Sequence, residues 1–151
     1  MILDTSPLVA ILAKEPDSDR YVYAISQAPR CRISAGNFIE LSMVIEGQFG
    51  LAVLRQCDAL IRRVGIVIEP VTVDQAHAAH QAFHDFGRGR HPAALNFGDC
   101  FAYELAKVTG EPLILLAAMW LRITSPPWRL TGHIFPTRSI TYWASYSDSI
   151  Y

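Results

Sequence analysis

Apolar and polar positions fall into blocks whose spacing changes along the chain, and each change marks an element. Residues 1–3, Met-Ile-Leu, form an unbroken apolar run too short for a helical period and predict a short buried strand. Thr5 or Ser6 can cap the next helix, with Pro7 at its first position and PLVAILA as its apolar stretch. Asp17 starts a second helix reaching about residue 28, and RCRIS predicts a strand. AGNFIELSMVIEGQFG predicts a helix with Phe38, Leu41 and Ile45 on one face and Gly47 near its stop. Residues 51–64 predict another helix, ended by Gly65, and IVIEPV predicts a β-branched strand closed by Pro70.

Residues 73–86 predict a helix with Ala76, Ala79, Phe83 and Phe86 as its buried stripe. GRGRHPAALNFG reads as a loop. A helix then runs from Asp99 to Thr109, stopped by Gly110, and EPLILL predicts a last strand. Short strands alternating with helices imply an α/β fold: a central parallel sheet flanked by helices. After Leu116 no period persists. Residues 117–151 hold all three tryptophans, three prolines and a single acid, Asp148. The chain divides on this basis into a domain over 1–116 and an atypical C-terminal tail over 117–151.

Composition narrows the classes. At 151 residues with 51% hydrophobic and 18% charged side chains, the chain suits one globular domain rather than a disordered segment. The net charge of −1 makes any nucleic-acid role depend on a local basic patch. Cys31, Cys57 and Cys100 are an odd, widely spaced set, expected as reduced buried thiols in a cytoplasmic protein. Asp4 and Lys14 interrupt the first apolar stretch, so no signal peptide is expected. LILLAAMWL is too short to span a bilayer, and no membrane association is expected.

The candidate chemistry lies in three acids. Ligands of open parallel sheets sit beyond the carboxyl ends of the strands, and Asp4 follows the first strand directly. Glu40 sits between Ile39 and Leu41 in a predicted helix, and Asp99 follows Gly98 at a helix start. Each has a plain structural role open to it, as a cap, a solvated helix face or a charge at a helix N-terminus. Together they mean more. Two such charges 4 Å apart repel by about 1 kcal/mol in water and about 4 kcal/mol at an effective dielectric of 20. A converging trio therefore either raises its pKa values or recruits a cation, and hard oxygen donors favour Mg²⁺ or Mn²⁺. Arg88, Arg90 and His91 supply a basic loop able to hold phosphates. His77, His80 and His84 share one side of a helix without an HExxH pattern and read as a solvated stripe. Phe97 and Tyr103 read as core.

MILDTS, ISAGNFIELSMVIEGQFG and GRGRHPAALNFGDCFAYELAKVTGEPL resemble a PIN domain of the VapC toxin type, over residues 1 to about 115. The resemblance implies a small Rossmann-like sheet and a metal-dependent endoribonuclease site. Asp4, Glu40 and Asp99 would be the catalytic and metal-binding acids. Ser6 would orient the site through its hydroxyl, Arg88, Arg90 and His91 would contact RNA, and Asn96 would brace the loop. A cognate VapB-type antitoxin and a homodimer are implied as well.

The family places a fourth acid after the next strand, where this chain has Ala117, Ala118, Met119 and Trp120. Two readings follow: an active ribonuclease, or an impaired PIN-fold module that docks an antitoxin but cuts poorly. The tail itself reads either as a native extension or as the product of a frameshift upstream of Ala117. Ala-Ala-Met-Trp requires the codons GCN GCN ATG TGG. Reading from the last base of each preceding codon allows Gly-Gly-Asp-Val, so one shifted frame permits an aspartate near the expected place.

Overall fold

The computed structural model describes residues 1–16 and 18–115. The expected helix start at Asp17 and the tail over 117–151 lie outside the described residues. The element order is β1 (Ile2–Leu3), α1 (Thr5–Leu12), α2 (Ser18–Gln27), β2 (Arg32–Ser34), α3 (Ala35–Val64), β3 (Val67–Glu69), α4 (Val73–Phe86), α5 (Phe97–Thr109) and β4 (Leu113–Ile114). Among the described residues four strands form one parallel sheet in the order β3-β2-β1-β4. Ile2 stands in register with Arg32 on one side and Leu113 on the other, so β1 is central. The α/β expectation therefore holds.

Both faces of the sheet are covered, and β1 shows why. Successive strand residues point to opposite faces. Leu3 packs with Leu8, Ile33, Leu41 and Ile45 against α1 and α3. Its neighbour Ile2 packs with Ala102, Leu105, Ala106 and Leu113 against α5. An apolar run without alternation is what a strand buried on both faces requires. A third cluster, built on Ala79, Ala82, Leu95, Cys100 and Tyr103, joins α4 to α5. Cys31, Cys57 and Cys100 are buried free thiols, as expected.

Several boundaries differ from the sequence expectation for local reasons. The cap of α1 is Asp4, whose carboxylate accepts from the Ser6 N–H, rather than Thr5 or Ser6. The two helices expected over 35–50 and 51–64 both lie within α3, which breaks between them at Gly50, where φ 79° and ψ 175° are open to glycine and strained for other residues. By length and composition α3 could cross a membrane. The break at Gly50 leaves each half shorter than the ~20 residues a span needs. Leu41, Ile45, Cys57 and Ile61 are buried in the protein core. The buried stripe of α4 is Ala79 and Ala82 with Phe83 and Phe86 at its margin, and Ala76 is exposed. Phe97, expected in the core, is 54% exposed; it packs edge-on against Phe101 instead. Tyr103 is buried as expected.

Candidate metal and nucleic-acid site

The parallel sheet brings its chemistry to one edge. β1 ends at Leu3 and delivers Asp4 beyond the carboxyl end of the strand. β2 ends at Ser34, which caps α3 by accepting from the Gly36 N–H, and α3 carries Glu40 within its opening turns. α5 packs against β1 and β2 and begins at the same edge. A reciprocal cap fixes its start: Asn96 Oδ1 accepts from the Asp99 N–H at 2.9 Å, and Asp99 Oδ2 accepts from the Asn96 N–H at 2.7 Å. The helix thus begins at Phe97, two residues before the expected start, and Asp99 lies in its first turn.

Each acid is held by short bonds. Asp4 Oδ2 accepts from the Ser6 hydroxyl at 2.7 Å and from the Ser6 N–H at 3.1 Å. Glu40 Oε2 accepts from the Thr5 hydroxyl at 2.7 Å, which ties α3 to the residue next to Asp4. The Asn37 side-chain amide donates to Asp4 Oδ1 at 3.2 Å and to the Gly98 carbonyl at 3.0 Å. Both of those partners are acceptors, so the amide nitrogen must face them. Among the described residues the buried Asn37 Oδ1 has no hydrogen-bond partner.

Asp4 and Asp99 are buried, and all three acids have raised pKa values. Burial pushes Asp4 up, against the opposing bonds from Ser6 and Thr5. Burial, then the Asp4 charge, pushes Glu40 up to about 7. Asp99 is pushed well above the usual carboxylate range by burial, then by Asp4, with Glu40 adding to it. Among the described residues none of the three acids is in an ion pair. Nor does any trio of His, Cys, Asp and Glu form a ready-made metal-ligand set among the described residues.

The loop over 87–96 lies between α4 and α5. A parallel bridge between Gly87 and Leu95 closes it, and Ala93 and Leu95 bury themselves beneath it. Arg88 and Arg90 are exposed, the Arg90 guanidinium lying 5.4 Å from the centre of the Phe83 ring. His91 stacks edge-on against Phe86, and its Nδ1 accepts from the Ala93 N–H at 3.0 Å. That leaves Nε2 as the nitrogen able to donate outward. His77, His80 and His84 are all exposed. A separate open groove between α4 and α5, lined by Asp74, His77, Gln81, Asp85, Tyr103 and Lys107, contains none of these acids.

Sequence reasoning missed Thr5 and Asn37 as members of the site. Asn37 stands one turn before Glu40, a polar residue at a core position of an otherwise apolar helix face, and that spacing was the signal that could have found it.

Comparison with known proteins agrees with this architecture. The PIN domain family matches residues 1–117. A ribonuclease VapC of Mycolicibacterium smegmatis is 44% identical over 114 residues, covering 76% of this chain and 88% of that protein. Ribonuclease VapC28 of Mycobacterium tuberculosis is 45% identical over 115 residues, covering 76% and 86%. The crystal structure of Mycobacterium tuberculosis VapC20, described as a Sarcin-Ricin loop cleaving toxin, superposes with a TM-score of 0.64 at 16% identity, over 80% of this chain and 92% of that one. A parallel sheet with acids gathered at its carboxyl edge, a family match over the whole described region, and this level of identity lead to one conclusion: the chain belongs to the PIN domain family, as a toxin of the VapC type.

Proposed function

We propose that this protein is a toxin-type endoribonuclease that hydrolyses RNA phosphodiester bonds with Mg²⁺ or Mn²⁺ held by Asp4, Glu40 and Asp99. The observation that carries the reading is a crowd of three carboxylates from three separate elements, with the Asp4 charge raising the pKa of both Glu40 and Asp99 and no cationic partner for any of them among the described residues. Such a crowd suits a hard divalent cation. Glu40 Oε1 and Asp99 Oδ1 accept no hydrogen bond among the described residues, which leaves oxygens for it. When bound, the cation supplies positive charge to the acids and to the phosphate under attack.

The chain's own residues do the rest. Ser6 and Asn37 hold both oxygens of Asp4. Thr5 holds Glu40, and the cap from Asn96 fixes Asp99. Burial and the Asp4 charge push Glu40 up to about 7, so in the metal-free protein its carboxylate can hold a proton near neutral pH. Arg88, Arg90 and the Nε2 face of His91 present donors to RNA phosphates. Kinship to VapC ribonucleases supports a cognate VapB-type antitoxin as the neutralising partner, a homodimer, and action in the cytoplasm where RNA is met.

Incubating the protein with RNA and Mg²⁺ or Mn²⁺, with and without chelator and with Asp4→Asn, tests the proposal. Cleavage abolished by both supports it, and cleavage indifferent to both refutes it.

A second reading rests on the missing fourth acid. The family match ends at residue 117, where Ala117, Ala118, Met119 and Trp120 stand in the expected place. On this reading the chain is a PIN-fold module that docks an antitoxin and cuts poorly because its fourth-acid site is not intact. Antitoxin binding without measurable RNA cleavage separates it from the first reading.

A further inference from the structure

Asn37 and Gly98 come from different helices and meet between the acids. The Asn37 amide spans Asp4 Oδ1 and the Gly98 carbonyl, at 3.2 and 3.0 Å, and Asn37 is fully buried. Gly98 also faces Glu40. A Cβ placed on Gly98 would overlap Glu40 Oε2 and stand 2.6 Å from the carboxyl carbon and 2.7 Å from Oε1. The carboxylate of Glu40 therefore occupies the space a side chain at 98 would fill. Gly98 has no positive φ, so backbone conformation is not what demands glycine here. One residue later stands Asp99, its first-turn position set by the Asn96 cap.

We infer that Asn37 and Gly98 are positioning residues that set the mutual placement of Asp4, Glu40 and Asp99, Asn37 by bridging Asp4 to the start of α5 and Gly98 by seating the Glu40 carboxylate against that same turn. The inference rests on the reading of these acids as a cation site. A buried amide with two acceptors in reach loses both bonds when truncated, and the two segments it joined are then free to part. Outer contacts of this kind tune cation affinity by about 10–100-fold.

Two measurements test it. In the first, Mn²⁺ affinity is read by calorimetry on the wild-type chain and on Asn37→Ala and Gly98→Ala, with circular dichroism reporting the fold. The expected result is a native spectrum with affinity weakened by about 10–100-fold in each variant. In the second, thermal stability of the metal-free protein is read for Gly98→Ala alone and in a Glu40→Ala background. The expected result is a lowered melting temperature in the first background and little change in the second, because the obstructing carboxylate is gone. A Gly98→Ala chain that folds only alongside Glu40→Ala counts in favour, for the same reason. An Asn37→Ala chain that fails to fold leaves the decision to this cycle. Wild-type Mn²⁺ affinity in both single variants, or an equal loss of stability in both backgrounds, overturns the inference alone. A wild-type chain that takes up no Mn²⁺ overturns the cation site and the inference with it.

Discussion

The Thr5 hydroxyl donates to Glu40 Oε2 at 2.7 Å, joining the residue after Asp4 to an acid 35 positions away. The bond favours the ionised carboxylate and opposes the burial and the Asp4 charge that push Glu40 up to about 7. Thr5→Val keeps the shape and removes the donor, so it should raise the Glu40 pKa further. Mn²⁺ binding should then weaken more at pH 6.5 than at pH 8.5, where Glu40 is ionised in either case. Titrations at the two pH values check this, and an equal loss at both would contradict it.

Metal-free protein should be more stable in mild acid than in mild base. Asp4, Glu40 and Asp99 all have folded-state pKa values above their ordinary ones, so the folded state holds more protons than the unfolded state between the two. Stability then falls as pH rises through that interval, which for Glu40 runs from 4.5 to about 7. The Glu40 part alone is at most on the order of 3 kcal/mol. Thermal melts should show a higher midpoint at pH 5 than at pH 8, and added Mn²⁺ should raise the midpoint more at pH 8.

The reciprocal cap at the start of α5 should be measurable as stability. Asn96→Ala removes the acceptor for the Asp99 N–H and should cost about 1 kcal/mol. A melting midpoint lowered by about 4 °C is the expected scale. Asn96→Ser, which restores a cap, should recover most of it.

RNA affinity should depend on Arg88 and Arg90 through charge. Both are exposed on the closed loop between α4 and α5. Arg90→Ala should weaken binding to a single-stranded RNA regardless of sequence, and should reduce the salt slope by about 0.7 for each phosphate no longer neutralised. Binding measured across a salt series checks it. An unchanged slope would place the RNA elsewhere.

The tail makes a prediction about the gene. If the segment over 117–151 comes from a shifted frame, the other frame should encode an aspartate near position 119 and continue as PIN domain sequence. A protein made in that frame should bind Mn²⁺ more tightly than this one. An early stop codon there would remove the idea.

Much of the fold was legible because local chemistry dictated it. The Met-Ile-Leu run reads as a short buried strand, and Ile2 and Leu3 do point to opposite cores. Gly65 and Gly110 end helices in the left-handed conformation, as their positions suggested. Phe97 was not legible, because an aromatic residue at a helix start has no fixed face until the helix has a neighbour. Its exposure follows from the turn imposed by Asn96 and Asp99. Ala76 was misplaced for a similar reason: α4 buries only the narrow seam that α5 meets.

By itself the sequence determined the strand and helix alternation, the three acids and the kind of sheet edge they would share, since each depends on neighbours close in the chain. Only the tertiary structure decided that Thr5 would hold Glu40, that Asn37 would bridge Asp4 to Gly98, and that glycine at 98 makes room for a carboxylate from another helix. Those relationships join residues tens of positions apart, and they exist only once the parallel sheet has brought the ends of its strands and the start of α5 to one edge.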